Sequence, residues 1–384
     1  MEKIRLLRIT TVPVSLTTLL KGQLHFFSKK GFDVLTVSSS GSEVNQLLDE
    51  GIKHVSINMT RRISPIRDFI SLIKLILLIR KFRPQIVHTH TPKAGLLGML
   101  ASYLCRVPMR MHTIAGLVWM ESSGIKKQLL MLTEKITYLC STKVYPNSLE
   151  LRKYLIDRLN FHPDKAVVIA NGSSNGIDAS YFNATLVPDD QRQELKSKYK
   201  IDDDDFVFCF VGRVVKDKGI VELVEAVEKL KSKKVKLLLV GNREQDLDPI
   251  PEDTLLKIRN NSSIIETGYQ KDVRLWLSIC NVFVFPSYRE GFPNVVMQAG
   301  CMALPCIVTD INGCNEIIQH KQSGLIIPVK DVHALKDAME FCMEQPDLIK
   351  AMGIKAREFV AGNFSQELVW NELLKEYNTS LLST

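Results

Sequence analysis

The chain has 384 residues, 45% of them apolar and 24% charged, a composition ordinary for a globular protein of about two domains. No apolar run approaches the roughly 20 residues that span a bilayer, and the first residues lack the apolar core of a signal peptide, so we expect a cytoplasmic protein. The net charge of +8 divides into +14 for residues 1–170 and −6 for residues 171–384. The basic first half predicts an anionic partner: a nucleic acid, an anionic membrane surface or a phosphorylated lipid.

Short β-type runs alternate with longer amphipathic runs through the first half, which predicts an α/β domain. The predicted strands are Arg5–Thr11, Asp33–Ser38, His54–Ile57, Gln85–His88, Met109–Thr113, Lys143–Pro146 and Ala166–Ile169. The predicted helices are Leu16–Lys30, Asp68–Phe82, Gly95–Cys105 and Ile125–Cys140.

The second half repeats this alternation. Its predicted strands are Phe206–Gly212, Lys236–Val240, Ile264–Gly268, Val282–Pro286, Pro305–Thr309 and Gly324–Ile327. Its predicted helices are Lys218–Ser232, Lys271–Ser278, Pro293–Met302, Ala334–Glu344, Pro346–Gly362 and Gln366–Leu382. The strands are apolar throughout, which is typical of parallel strands covered on both faces.

Turn and linker residues lie between Asn171 and Asp190. We therefore predict two domains, residues 1–185 and 186–365, with the last helix, about 366–384, packing back on the first. The eight cysteines form no CxxC pair and no zinc-like spacing, and we interpret them as buried small hydrophobes in a reducing compartment.

One basic segment leaves a predicted strand and opens a helix at residues 211–219. Gly212 lets the backbone turn, and Arg213 and Lys218 add two cations beside the free N–H groups of a helix start. This combination suits a diphosphate without a bound metal. A helix start with solvated basic residues is the simpler alternative.

A second segment of the same strand–loop–helix kind covers residues 285–299. Glu290 lies in its loop, where a carboxylate can accept hydrogen bonds from sugar hydroxyls, and Gln298 lies two turns into the following helix. Pro293 suits a first helical turn. The carboxyl end of a strand is where open α/β sheets bind ligands.

With these two segments in this order, the sequence resembles family 4 of the glycosyltransferases over nearly its whole length. Residues 87–95, 171–182 and 299–305 add to the resemblance. The family implies a GT-B fold, an α/β architecture of two Rossmann-like, doubly wound parallel-sheet domains facing across a cleft. The most similar members are bacterial enzymes that extend undecaprenyl-diphosphate-linked glycans for capsule, O-antigen or glycoprotein.

The resemblance also implies roles for residues. Arg213 and Lys218 would hold the donor diphosphate, and Glu290, the first acid of a Glu-x7-Glu motif, would bind the transferred sugar. Gln298 stands where the motif has its second acid and would still hydrogen-bond the ribose. The remaining donor-binding positions would be Gly212, Tyr269, Gln270, Gly291, Phe292, Pro293, Asn294 and Val295.

The implied reaction is a front-face, ion-pair-like transfer with retention from a nucleotide-sugar, a UDP-sugar being the expected donor. No cofactor and no metal is expected. The run Asp202–Asp205 is interpreted as a solvated turn before a strand, not as a metal-binding motif.

Candidate residues of the first half depart from the family pattern. Relatives carry a His where this chain has Ala115, and His112 lies three residues earlier. Either His112, as a catalytic contact, or His90 could meet the donor sugar or the acceptor. A structural role for each His is an equal alternative. Lys93 is a candidate for the acceptor phosphate.

The basic stretch 61–67 precedes a strongly apolar helix that carries further cations. A basic amphipathic face indicates peripheral contact with an anionic membrane surface, here the inner face of the plasma membrane. A core helix with solvated ends is the alternative.

The expected partners are therefore a nucleotide-sugar donor, a lipid-diphosphate-linked glycan acceptor and this membrane surface. No recognisable nucleic-acid-binding motif is present, so no nucleic acid is expected. A sugar-nucleotide epimerase or hydrolase on the same fold stays an alternative, as does a non-catalytic sugar-nucleotide-binding protein.

Overall fold

A computed structural model describes residues 3–60, 64–117, 119, 123–159, 161–232, 234–244 and 248–382. The chain divides into two compact units. The first contains residues 1–176 and 366–384, and the second contains residues 177–365. Each unit is an α/β structure built on one parallel sheet.

The first unit has a parallel sheet with the strand order β3-β2-β1-β4-β5-β6. The order reverses between β1 and β4, which makes their carboxyl ends the switch point where such sheets bind ligands. The strands are β1 Ile4–Ile9, β2 Phe32–Ser38, β3 Lys53–Ser56, β4 Ile86–His90, β5 Met109–Ile114 and β6 Lys143–Pro146.

Helices cover both faces of this sheet. They are α1 Gln23–Lys29, α2 Glu43–Asp49, α3 Pro65–Phe82, α4 Pro92–Leu104, α5 Gly124–Cys140, α6 Leu149–Leu159 and the C-terminal α15 Gln366–Leu382. Successive residues of β1 point to opposite faces, so Leu6 packs with α1 and α15, whereas Leu7 packs with α3 and α4. Helix α15 joins the first core through Val369, Leu373 and Tyr377.

The second unit has the order β12-β11-β10-β7-β8-β9, so its switch point lies between β7 and β10. Its strands are β7 Phe206–Val211, β8 Val235–Val240, β9 Ile264–Gly268, β10 Val282–Phe285, β11 Cys306–Thr309 and β12 Gly324–Ile327. Its helices are α7 Asp189–Lys198, α8 Ile220–Glu228, α9 Glu252–Asn260, α10 Arg274–Leu277, α11 Asn294–Cys301, α12 Cys314–Ile317, α13 Val332–Glu344 and α14 Pro346–Phe364.

The prediction of two Rossmann-like parallel-sheet domains is confirmed, but some predicted elements were wrong. The predicted strand Ala166–Ile169 makes only an isolated bridge, between Ala166 and Val144. The predicted helix Leu16–Lys30 is broken at Gly22, whose φ of 79° is left-handed. A π-helical turn, Ser15–Leu19, precedes the break.

Candidate active site

Two loops of the second unit meet at the carboxyl ends of β7 and β10. A short 3-10 helix, Lys216–Lys218, follows β7 and ends at Gly219, whose φ is 72°. A Cβ atom on Gly219 would lie 2.1 Å from the carbonyl oxygen of Pro286, just after β10. Only glycine allows this approach, and it brings Lys218 beside the loop that carries Glu290.

Lys218 and Glu290 form a short ion pair. Lys218 Nζ lies 2.5 Å from Glu290 Oε1, and the two side chains are only 13% and 16% exposed. The Ser287 hydroxyl donates to the same carboxylate oxygen at 2.9 Å. The amide of Asn312 donates to the backbone carbonyls of Glu290 and Gly291, at 3.1 and 2.6 Å. Two residues predicted from separate motifs therefore form one fixed, charged centre.

Arg213 lies at the same strand end but in a more exposed position. Its guanidinium donates to Glu244 at 3.0 Å, and its side chain is 46% exposed. An exposed pair of this kind contributes about 0–1 kcal/mol. Arg213 can therefore exchange its carboxylate partner for a ligand phosphate at little cost.

The turn after β9 offers one exposed aromatic ring. Tyr269 is 71% exposed, and its backbone N–H donates to Asn242 Oδ1 at 2.9 Å. The Gln270 amide donates to the backbone of Thr267. The turn is therefore held by hydrogen bonds within itself and to Asn242 after β8, and the Tyr269 ring is open to a planar ligand.

The start of α11 contributes mostly backbone. The Phe292 side chain is 8% exposed and packs on Phe364 with ring centroids 5.2 Å apart, so its side chain serves the core. Pro293 is also buried, Val295 is half-buried and Asn294 is exposed. The half-buried Gln298 side chain forms no hydrogen bond with any described residue.

Glu244, Ser287 and Asn312 were missed by the sequence analysis although each fixes a predicted residue. Glu244 follows β8 and Asn312 follows β11, so both lie at carboxyl ends of strands. Strand-end position was the available signal, because polar residues at that edge converge on one site.

A directional hydrogen-bond chain crosses the first unit. Arg8 is fully buried and its Nη1 donates to the Tyr377 hydroxyl at 2.5 Å. Arg8 Nη1, which can only donate, also lies 3.3 Å from His88 Nδ1, so Nδ1 is an acceptor and receives the proton of the Tyr377 hydroxyl, 2.6 Å away. His88 Nε2 must then carry the ring proton, which it donates to the Thr113 hydroxyl at 2.8 Å. Gln23 is a further partner of Arg8.

Three histidines on the neighbouring strands β4 and β5 are held neutral. Burial, with the charge of Arg8, places the pKa of His88 and of His90 well below the ordinary value. Burial also lowers the pKa of His112 to about 4. The His90 ring stacks on His88 with centroids 4.5 Å apart, and its buried Nε2 lacks a hydrogen-bond partner among the described residues.

His112 and Lys93 are both engaged within the unit. Thr89 Oγ1 lies 2.8 Å from His112 Nδ1, and the ring leaves no room for a Cβ atom at Gly95 of α4. Lys93 Nζ donates to both carboxylate oxygens of Asp68, at 2.8 and 2.6 Å, which ties α4 to α3. Their predicted roles toward donor and acceptor stay predictions.

Within the described ranges, no helix combines the length and apolarity needed to cross a membrane. No group of three His, Cys, Asp or Glu side chains in that part of the chain is arranged to hold a metal ion. Residues 61–63 of the predicted basic stretch lie outside the described residues.

Two family models match the chain, one over each half. The model described as Glycosyltransferase Family 4 matches residues 19–174, and the model described as Glycosyl transferases group 1 matches residues 191–359.

Named relatives match along most of their length. The capsular polysaccharide biosynthesis glycosyltransferase CapM of Staphylococcus aureus is 36% identical, over 99% of this chain and 98% of CapM. The UDP-Gal:alpha-D-GlcNAc-diphosphoundecaprenol alpha-1,3-galactosyltransferase of Escherichia coli is 27% identical, over 86% of this chain and 87% of that enzyme.

Solved structures share the fold at low identity. A glycosyltransferase from Rickettsia africae superposes with a TM-score of 0.83 at 21% identity, with full coverage of both chains. Anabaena HepE in complex with UDP-glucose superposes with a TM-score of 0.81 at 16% identity, over 98% of this chain and 100% of HepE.

Two Rossmann-like units with this strand order, in a chain similar to these proteins, define the GT-B class of sugar-transferring enzymes. The chain belongs to family 4 of the glycosyltransferases.

Proposed function

We propose that the enzyme transfers a sugar, with retention, from a nucleotide-diphosphate donor to a hydroxyl of a lipid-linked or growing surface glycan. A UDP-sugar is the expected donor, and an N-acetylhexosamine is one candidate for the transferred group. The observation that carries the proposal is the Lys218–Glu290 pair at the switch point between β7 and β10. The relatives named above, with a UDP-sugar donor and diphosphoundecaprenol acceptor in one of them, support the substrate class.

The charges of the reaction match those of the site. When the bond between the anomeric carbon and the diphosphate breaks, negative charge grows on the phosphate and positive charge on the carbon. Lys218, Arg213 and the first N–H groups of α8 would stabilise the phosphate, which makes a metal ion unnecessary. Glu290 would bind sugar hydroxyls while its charge is balanced by Lys218.

Retention is what the resemblance to the family implies, and no residue is assigned as a nucleophile that would form a covalent intermediate. Glu290 already accepts from Lys218 and Ser287, so we do not assign it a covalent bond to the sugar. The acceptor hydroxyl would attack from the face that the diphosphate leaves, and its proton would pass to the departing phosphate oxygen. The donor bond breaks as the new glycosidic bond forms, and the nucleoside diphosphate is released.

A substrate panel tests this proposal. Purified enzyme is incubated with UDP- and GDP-sugars and short lipid-diphosphate acceptors, and products are read by mass and by the anomeric coupling constant. We expect a single α-linked product from one α-linked donor. A product formed without acceptor would favour an epimerase or hydrolase, and binding of donor without turnover would favour a non-catalytic protein.

We also propose that one face of the first unit rests on an anionic bilayer at the inner face of the plasma membrane. Helix α3 buries Leu75 and Ile79 but exposes an apolar stripe of Ile66, Phe69, Ile70, Ile73 and Leu77, of which Ile66 is 79% and Phe69 63% exposed. Exposed Arg67 and Lys74 lie on the same helix. A stripe of this size bordered by cations is typical of a helix at a membrane surface.

Helix α5 extends this surface. Both α3 and α5 pack against α4, so they lie on one face of the sheet, and α5 exposes Ile125, 85% exposed, with Leu129 and Leu132. The layer therefore carries exposed apolar residues on two of its helices.

Vesicle flotation tests the membrane proposal. The wild-type enzyme should float with vesicles that contain anionic lipid and less with neutral vesicles. The double variant Phe69→Glu/Ile73→Glu should lose flotation, whereas Leu348→Glu, at a comparably exposed leucine of α14, should not. Equal flotation of all three proteins, or no dependence on anionic lipid, would contradict the proposal.

A further inference from the structure

A cavity of about 560 Å³ is lined by residues of the first unit, none of which is among those assigned to the donor. It opens between α5, the end of α6 and the segment that follows α6. Its apolar walls include Met131, Leu132, Leu139 and Phe161. This volume lies in the range of cavities that hold small organic ligands.

Cations surround this apolar interior. Lys135, Arg158 and Lys165 line the cavity, and none of them forms an ion pair with a described carboxylate. His162 also lines it, and its Nδ1 lies 3.6 Å from Asp164. The cavity therefore offers positive charge that no carboxylate among the described residues neutralises through an ion pair.

One of these cations, Lys165, also lies near a positive charge outside the cavity lining. Burial, and then the neighbouring charge of Arg110, lower the pKa of the Lys165 ammonium. Arg110 itself donates to the backbone carbonyls of Cys140 and Val107, not to a carboxylate. A bound anion would relieve this repulsion, because an opposite charge nearby favours the charged form.

Among the described residues that line the cavity, Glu134 carries the one carboxyl group, and this group tends to be neutral. Glu134 Oε2 accepts hydrogen bonds from Trp119 Nε1 at 2.6 Å and from the Tyr138 hydroxyl at 3.1 Å. Burial raises the pKa of Glu134 to about 7. At and below neutral pH much of this group is protonated, so it does not repel an anion.

We propose that this cavity binds a single-chain lipid phosphate, with the apolar chain among the leucines and the phosphate beside Lys135, Arg158 and Lys165. Leu132 belongs both to the cavity wall and to the exposed stripe of α5, so the cavity is continuous with the face assigned to the bilayer. A membrane is therefore the source of the ligand. The site goes beyond the sugar transfer reaction and does not depend on the donor.

Calorimetric titration of the full-length enzyme with dodecyl phosphate, below its micelle concentration, tests this proposal. We expect saturable 1:1 binding that weakens about tenfold or more in Arg158→Gln and in Lys165→Gln, because each removes a charge-assisted hydrogen bond to the phosphate. Lys153→Gln, an exposed lysine of α6 outside the cavity lining, should bind as the wild type does. Melting curves establish that the variants fold.

Two further probes separate the parts of the ligand. Inorganic phosphate should bind much more weakly than dodecyl phosphate, and so should the uncharged dodecyl maltoside. Equal binding of inorganic phosphate would reduce the site to a surface anion contact and overturn the proposal. Equal binding of dodecyl maltoside, or of dodecyl phosphate to all variants, would also overturn it. None of these results bears on sugar transfer, which the substrate panel tests separately.

Discussion

Buried charge is paired at the candidate site of the second unit, whereas it is avoided around His88 and Glu134 in the first unit. In the second unit, Lys218 and Glu290 form a direct ion pair. In the first unit, His88, His90 and Glu134 have pKa values displaced by burial toward their neutral forms. An ion pair keeps charged side chains in place for a reaction in which developing charge must be stabilised. The neutral buried groups of the first unit instead give rigid support without adding charge. The first unit also keeps charge at Arg8, which is buried among neutral partners, and in the Lys93–Asp68 ion pair.

Removing the cation from the paired site should have the largest effect. We expect Lys218→Ala to lower kcat/KM by about 10²–10³-fold, because a fixed donor to the leaving phosphate is lost. Arg213→Ala should cost less, about tenfold to a hundredfold, since Arg213 is half exposed and its contribution is screened. Initial rates with the cognate donor measure both.

Lys216→Ala is the matched control for this comparison. Lys216 belongs to the same 3-10 helix but is exposed, so its removal should leave kcat/KM nearly unchanged. Near-normal turnover by both Lys218→Ala and Arg213→Ala would remove the diphosphate assignment and with it the contrast between the two units.

The neutral state of Glu134 predicts a pH-dependent stability. Its pKa is about 7 in the folded protein, against about 4.5 for an unperturbed glutamate. As pH rises from about 4.5 to about 7, the unfolded chain loses this proton before the folded protein does. The contribution of Glu134 to the free energy of unfolding of the wild type therefore falls by up to about 3 kcal/mol, and this contribution is constant below and above that range. Glu134→Gln stays neutral and should lack this loss.

Urea unfolding at pH 4.5 and pH 8, followed by a probe in the first unit, measures the effect. The stability of Glu134→Gln relative to wild type should increase by about 3 kcal/mol between these pH values. Glu252→Gln, whose side chain is 70% exposed, should show little change in the same comparison. A pH-independent difference between wild type and Glu134→Gln would mean that folding does not shift the pKa of this carboxyl.

The hydrogen-bond chain of Arg8 should respond to loss of a single hydroxyl. Tyr377→Phe leaves the buried guanidinium with one partner fewer and deprives His88 of its donor, and we expect a destabilisation of about 1–3 kcal/mol. Tyr145→Phe should cost less, because Tyr145 donates to the partly exposed Glu376 and is not bonded to a buried cation. Nitrogen NMR shifts of His88 should report a proton on Nε2 in the wild type.

Much of the fold was predictable from local pattern. The apolar strands of the second unit and the strand-end positions of Lys218 and Glu290 follow from runs of a few residues. Helix α7 was missed because only Leu195 of its ten residues is buried, so it has almost no apolar face to detect. Ala166–Ile169 was read as a strand because it is apolar, although it pairs with β6 only through one bridge.

Contacts between distant parts of the chain were not predictable in the same way. Lys218 and Glu290 are 72 residues apart, and Arg8 and Tyr377 are 369 apart, so no local pattern links them. The close approach of Gly219 to Pro286 depends on strand order, which sequence periodicity does not specify. The neutral state of the histidines depends on burial that only the packed unit defines.

Treatment with EDTA should have little effect on turnover. If Lys218, Arg213 and the start of α8 carry the leaving-group charge, transfer needs no divalent cation. We expect rates within about twofold with and without chelator after exhaustive metal removal. Loss of activity that added Mg²⁺ or Mn²⁺ restores would show that paired side chains are insufficient, and would place a metal among the groups that hold the diphosphate.

The substitution Gln298→Glu should have the smallest effect on activity. It tests whether the site of the second unit tolerates an added negative charge. The Gln298 side chain is half-buried and forms no hydrogen bond within the described part of the chain, so a carboxylate there displaces no partner. It would restore the second acid of the Glu-x7-Glu pattern, and a carboxylate accepts from a ribose hydroxyl as an amide oxygen does. We therefore expect activity within about threefold of wild type and an unchanged or lower KM for the donor. Complete inactivation would mean that the added charge disturbs the Lys218–Glu290 pair. It would then contradict the position of α11 beside the nucleotide that the resemblance to the family implies.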